Sequence, residues 1–172
     1  DNDQFNKGGF GGKGSYRTPA DNKKPEELAK INAIDIKNAE DQAKMLNEKF
    51  GKGKTIVFIV PTSQAHNAMR ALIYKKEMPG IKDQQEMFSD TIGHPTAAVV
   101  TLNSYLHFAV LYKQSPVGLP LPDYLKNTKK GPAGDEKMNR KLQELAWDLV
   151  THYPPSGVTA AAKNTDPSGK KK

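Results

Sequence analysis

Apolar residues follow two different spacings along this chain, and the spacings predict its elements. Between residues 25 and 50, Ile36, Ala39, Ala43, Leu46 and Phe50 recur every three or four positions, which collects them on one face of a helix. Pro25 suits the first helical turn, Glu26 and Glu27 complement the positive end of the helix dipole, and Gly51 and Gly53 stop it. Thr55-Ile-Val-Phe-Ile-Val60 is a continuous, largely β-branched run, too short for an ordinary helix. It predicts a strand buried on both faces and ended by Pro61. A second helix is predicted over Gln64 to Lys76, with Ala65, Met69, Leu72 and Ile73 on one side and a turn at Pro79-Gly80 behind it. Ala97, Val100, Leu102, Tyr105, Phe108 and Leu111 predict a third helix, about Ala97 to Tyr112, buried over a wide face. Three prolines between Ser115 and Pro122 forbid helix there, and the polar stretch Lys126 to Lys137 is expected to be mobile. Met138, Leu142, Leu145 and Leu149 predict a last amphipathic helix, ended by Tyr153-Pro-Pro155.

A helix followed by a doubly buried strand is half of a βαβ unit, so the expected class is α/β, with a parallel sheet covered by helices. One strand cannot make a stable sheet, so further strands are expected in sequence outside the chain or hidden from the pattern. Three regions are expected: a flexible Gly/Lys/Asn-rich arm at 1–24, a folded domain at 25–158, and a disordered Lys-rich tail at 159–172. The glycines of the arm are not a phosphate loop, because no strand precedes them and no Gly-Lys-Ser/Thr opens a helix after them.

Composition narrows the function classes. The formal net charge is +7, but much of the excess sits at Lys126, Lys129, Lys130, Lys163 and Lys170 to Lys172. No aromatic residues interleave with these lysines as a base-stacking platform requires, so they read as solvated segments, and nucleic acid is not an expected partner. The chain has no cysteine, which excludes disulfides, thiol catalysis and zinc–thiolate sites within it; no cofactor is expected. No apolar run reaches membrane-spanning length and no leader pattern is visible. Asp1 stands where an initiator Met would, which reads as a processed product or a fragment.

The chemistry concentrates in Phe88-Ser-Asp-Thr-Ile-Gly-His-Pro95. Asp90 and His94 lie on one short loop, with Gly93 permitting an unusual backbone angle and Pro95 keeping His94 out of helix. An Asp carboxylate that accepts from one imidazole nitrogen leaves the other free to take a proton from a hydroxyl, which is the orienter and base of a hydrolytic triad. His66, His107 and His152 lack the short spacing of a zinc pair, and His66 and His107 read as packing or hydrogen-bonded residues. Ser63 follows the strand but lacks a Gly-x-Ser-x-Gly elbow, so Thr62 or Ser63 reads as a helix N-cap.

The order of these pieces resembles the C-terminal part of SGNH/GDSL-type hydrolases. The similar segments are Ile56-Val-Phe-Ile-Val-Pro61, Pro79-Gly80-Ile81, the Phe88–Pro95 loop, Asn103-Ser-Tyr-Leu106, Tyr112 through Pro120, and Leu142-Gln-Glu-Leu-Ala-Trp147. The resemblance implies a three-layer α/β/α flavodoxin-like sandwich, incomplete in this chain. It also implies hydrolysis of an ester, including acetyl groups on carbohydrate, with His94 as base and Asp90 as orienter. Asp-x-x-x-His here is one residue longer than the family's Asp-x-x-His, and the family's Gly-Asp-Ser nucleophile motif is absent. The resemblance therefore implies a partner: the N-terminal remainder of the same domain, bringing the serine and the oxyanion donors. A non-catalytic carbohydrate-binding or structural domain is the alternative. Similar hydrolases act on extracellular polymers, which points to export, while the residues themselves leave the compartment open.

Overall fold

The computed structural model describes residues 24–90 and 93–159, and its helices begin where the sequence supplies start signals. Helix α1 (Pro25–Phe50) opens on Pro25, Glu26 and Glu27 and carries Lys49 in its last turn. It closes at Gly51, whose amide donates to the Asn47 carbonyl at 2.8 Å. A side chain at Gly51 would collide with the Asn47 and Lys54 carbonyl oxygens, so the chain can reverse there only on glycine. Helix α2 (Thr62–Tyr74) buries Ala65, Met69 and Ile73 at four-residue spacing. Helix α3 (Ala97–Tyr112) is followed by a single turn, α4 (Asp123–Lys126), and by α5 (Glu136–Thr151). At the start of α5 the Asp135 carboxylate accepts from the Met138 amide at 2.8 Å. Short 3₁₀ turns lie at Gln84–Met87 and Pro154–Ser156.

Helix α3 is the centre. It buries nine residues, among them Val99, Leu102, Leu106 and Ala109, and so must be covered from several sides. α5 covers it most extensively, with α2 and α4 completing the enclosure, while α1 lies against α2. The α3–α5 seam is apolar except for one polar cluster. Tyr105 Oη donates to Asn139 Oδ1 at 2.6 Å. Gln143 Nε2 donates to the Leu119 carbonyl at 2.7 Å, and Gln143 Oε1 accepts from the Gly118 amide at 3.0 Å. Asn139 and Gln143 are each 1 % exposed, so these bonds meet a requirement that water cannot. They fasten the proline-rich loop to the core.

The expected α/β/α sandwich is overturned. Among the described residues there is no sheet and no strand, and the one ladder fragment is an isolated antiparallel bridge between Phe88 and Pro95. Thr55–Val60 passes without helix, turn or bend, but no second strand lies beside it. Its bonds go elsewhere: the Asn47 carboxamide accepts from the Ile56 and Val57 amides at 2.8 Å and donates to the Val57 carbonyl at 2.9 Å. The Ile59 amide donates to the Pro155 carbonyl at 2.9 Å. A side-chain amide has the donor and acceptor of a peptide group, so it can stand in for a neighbouring strand.

Three smaller expectations also change. Of the α1 face, Ala43 is buried but Phe50 is 56 % exposed, because α1 lies along α2 at the edge of the bundle. Leu111, expected on the buried face of α3, is 71 % exposed. The stretch 126–137, expected to be mobile, is tied down. The Gly134 amide donates to the Leu125 carbonyl at 2.9 Å, and Leu125 is fully buried. The expected arm at 1–24 and tail at 159–172 lie outside the described residues except for Lys24 and Thr159.

Leu106→Ala is expected to cost about 2–5 kcal/mol by opening a cavity at the centre of α3. Leu111→Ala on the same helix should change stability by less than about 0.5 kcal/mol. Paired chemical denaturation curves measure the difference, and equal losses would contradict the placement of α3.

Candidate active site

The Asp90–His94 loop stands on a closed base. At its foot the Phe88–Pro95 bridge is reinforced by the Thr96 amide donating to the Met87 carbonyl at 2.9 Å. The Thr96 hydroxyl, itself buried, donates to the carbonyls of Glu86 and Met87 at 3.1 and 3.2 Å. One turn earlier the Glu86 carboxylate accepts from the amides of Lys82 and Asp83 at 2.6 and 3.3 Å. Arg70 of α2 donates to Gln84 Oε1 at 3.2 Å and stacks its guanidinium 5.3 Å from the Phe88 ring centroid. The loop is thereby joined to α2 on one side and feeds directly into α3 on the other.

Within the loop the structure brings Asp90 and His94 together. Asp90 Oδ2 pairs with His94 Nδ1, and Asp90 Oδ1 accepts from the amides of Gly93 and His94, both at 3.1 Å. Gly93 has φ of 95°, in the left-handed region that glycine enters without strain. A carboxylate facing Nδ1 makes that nitrogen the protonated one, so Nε2 carries the lone pair. The His94 side chain is 65 % exposed and that of Asp90 33 %, so the acid is the more enclosed partner and the base the more open one.

No serine hydroxyl among the described residues is bonded to His94 Nε2. Ser89 is the nearest in sequence, and its hydroxyl donates to the His94 backbone carbonyl at 3.3 Å. Ser63 sits in the first turn of α2, about 10 Å of helix from Arg70, which touches the base of the loop. The N-cap of α2 is Pro61, so neither Thr62 nor Ser63 caps it as expected.

The other histidines stay apart from the pair. His66 Nε2 meets Asn103 Oδ1 at 3.0 Å between α2 and α3. Burial, opposed by the Asn103 bond, with a smaller contribution from Arg70, lowers its pKa from 6.5. His107 Nδ1 lies 2.7 Å from the Asn103 carbonyl, and His152 pairs with Asp148 at 3.1 Å. Among the described residues no three His, Asp or Glu side chains converge as a metal site.

A groove of about 600 Å³ runs beside the loop. One wall is Ser89, Pro95, Thr96 and Ala97, the chain neighbours of Asp90 and His94; the other is α4 and the turn after it, with Tyr124, Asn127, Lys129 and Lys130. A second groove of about 500 Å³ shares Ser89. Gly131 (φ 85°) holds the far wall close: a side chain there would meet Thr96 Cγ2. Sequence reasoning missed this wall because it read 126–137 by polarity alone. The signals were Leu125, the last large apolar residue before the polar stretch, and the glycines at 131 and 134.

The chain matches no family model, no curated protein and no solved structure. The resemblance to SGNH/GDSL hydrolases has no match behind it, and a helical fold without a sheet among the described residues contradicts the α/β architecture it implied. No helix among the described residues is long and apolar enough to cross a membrane.

The lowered pKa of His66 has a consequence for stability. The unfolded chain takes up a proton near 6.5 while the folded chain resists it, so this contribution is complete above pH 6.5 and is lost as pH falls through the folded value. His66→Gln should flatten the loss of thermal stability on acidification. An unchanged slope would contradict the assignment.

Proposed function

We propose that this chain supplies the base and the orienting acid for hydrolysis of a carboxylic ester. His94 Nε2 would take the proton of an attacking serine hydroxyl as its oxygen adds to the ester carbonyl, then return the proton to the departing alcohol. Asp90 would hold the Nδ1–H tautomer and stabilise the imidazolium between those two transfers. The acyl group left on the serine would be released by water, with the same nitrogen acting again as base. The serine and the oxyanion donors would come from outside the described residues.

One observation carries this reading: Asp90 and His94 pair on a loop whose chain neighbours Ser89 and Pro95 line a groove, with the imidazole the more exposed of the two side chains. The groove's Tyr124 and Asn127 suit a hydroxyl-bearing alcohol portion, in line with an acetylated carbohydrate. A second reading also has its own observation. Asp90 Oδ1 accepts two backbone amides of its loop, so the carboxylate would close the loop in a non-catalytic carbohydrate-binding or structural domain as well.

Two substitutions separate the readings. In the complete protein His94→Ala should lower turnover of short acyl esters by about 10²–10⁴-fold with little change in melting temperature. Asp90→Asn should also lower kcat more than it changes KM. Activity that survives His94→Ala, or a protein inactive before any change, excludes the catalytic reading and leaves the structural one.

A further inference from the structure

The two grooves beside the Asp90–His94 loop meet at Ser89, and each has an aromatic ring and a lysine on its wall. In the larger groove the ring is Tyr124, with Lys129 and Lys130 beyond it. In the smaller the ring is Phe88, with Lys82. Tyr124 is 56 % exposed, and Phe88 is half-buried with Arg70 stacked against it. None of these three lysines has a carboxylate partner among the described residues, whereas Lys37, Lys44 and Lys76 do. Nor do the acids of the grooves answer them. Glu86 lines the smaller groove, but its carboxylate is taken up by the amides of Lys82 and Asp83. Asp123 is the one acid on the wall of the larger groove. Lys129 and Lys130 are mounted on an ordered turn: the Thr128 hydroxyl donates to the Lys130 carbonyl at 3.1 Å, and Gly131 abuts Thr96. The excess positive charge is therefore placed by the fold, not carried on a loose arm.

We propose that the two grooves bind one linear acidic oligosaccharide laid across Ser89, with sugar rings on Tyr124 and Phe88 and a carboxylate toward the lysines of each groove. A sugar ring has an apolar C–H face that packs on an aromatic ring, and hydroxyls that need donors and acceptors, which Ser89, Asn127 and Thr128 supply. An unpaired ammonium selects an anion, and on its flexible stem it reads charge more than shape. The density of charge favours an acidic sugar chain over a nucleic acid. Three lysines with Asp123 among them cannot answer a phosphate at every nucleotide, whereas each acidic ring brings a single carboxylate. The inference rests on the proposed hydrolysis for the placing of the ester. Ser89 precedes Asp90 and its hydroxyl donates to the His94 carbonyl, so the sugar that bridges the grooves is the one presented to the pair.

Calorimetric titration of the full chain with a galacturonic acid hexamer should show binding that weakens as salt rises, and a neutral galactose hexamer should bind more weakly. Lys82→Gln, Lys129→Gln and Lys130→Gln should each weaken the acidic hexamer about 1.5- to 5-fold, the range of an exposed ion pair, and all three together about tenfold. The neutral hexamer should not respond to them. Tyr124→Ala should weaken both hexamers. Lys54→Gln removes the same charge beside the apolar hexapeptide, which meets the opposite end of α3 through Phe58 and Lys113, and should change neither. Equal affinity for the two hexamers overturns the proposal, as does the absence of binding. So does an acidic hexamer indifferent to the triple change, or tighter binding of single-stranded DNA of the same length. The titration involves no turnover. A chain that binds the acidic hexamer and hydrolyses no ester keeps this inference and loses the catalytic reading.

Discussion

Helix α3 buries nine of its sixteen residues along one wide face, and that constraint organises the molecule. Val99, Leu102, Leu106 and Ala109 recur at spacings of three and four along one face of it, and all are at most 2 % exposed. So wide a face needs cover from more than one element, and α2, α4 and α5 provide it, while Ser104, His107 and Leu111 on the opposite side stay exposed. Dispersion and burial do most of this work, since the α3–α5 seam has only the Tyr105–Asn139–Gln143 cluster as polar content. That cluster also decides where the proline-rich loop lies, because Gly118 and Leu119 satisfy Gln143.

The candidate site depends on the same helix. The Asp90–His94 loop leads directly into α3, and Thr96 at the junction is bonded back to Glu86 and Met87. The carboxylate and the ring therefore project from a fixed foot, although the pair itself lies at the surface. A solvent-facing His–Asp pair is chemically ordinary until a hydroxyl meets the free nitrogen. The catalytic reading thus depends on what comes to the groove, and the pair's contribution is to be pre-aligned for it.

The helices were legible to different degrees for identifiable reasons. The faces of α2 and α5 followed from periodicity, because each packs along one side: Ala65, Met69 and Ile73, then Met138 and Leu142. The face of α1 was misjudged at Phe50, since periodicity shows that a helix has an apolar side and not how much of it finds a partner. The larger error was the sheet. Thr55–Val60 has every local property of a buried strand, and a sheet exists only when other strands are present to bond to it. Asn47, ten residues back at the end of α1, and Pro155, from the far end of the chain, took the inner edge, and apolar spacing signals neither bond. The adjacency of Asp90 and His94 was readable because a loop of five residues limits their separation. The groove wall at Tyr124 to Lys130 was not readable, since it comes from a distant segment held by Leu125 and Gly131.

By itself the sequence determined roughly where the four long helices lie, the wide apolar face of α3, the absence of thiol chemistry, and one acid and one imidazole confined to a short loop. These are local properties, set by caps, glycines, prolines and apolar spacing. The tertiary structure alone decided that the apolar hexapeptide stands without a sheet, that the lysine-rich stretch closes over Thr96, and that a groove forms beside the loop. Each of these depends on which distant group reaches a given backbone amide or apolar face first, and that competition is settled only when the whole chain packs.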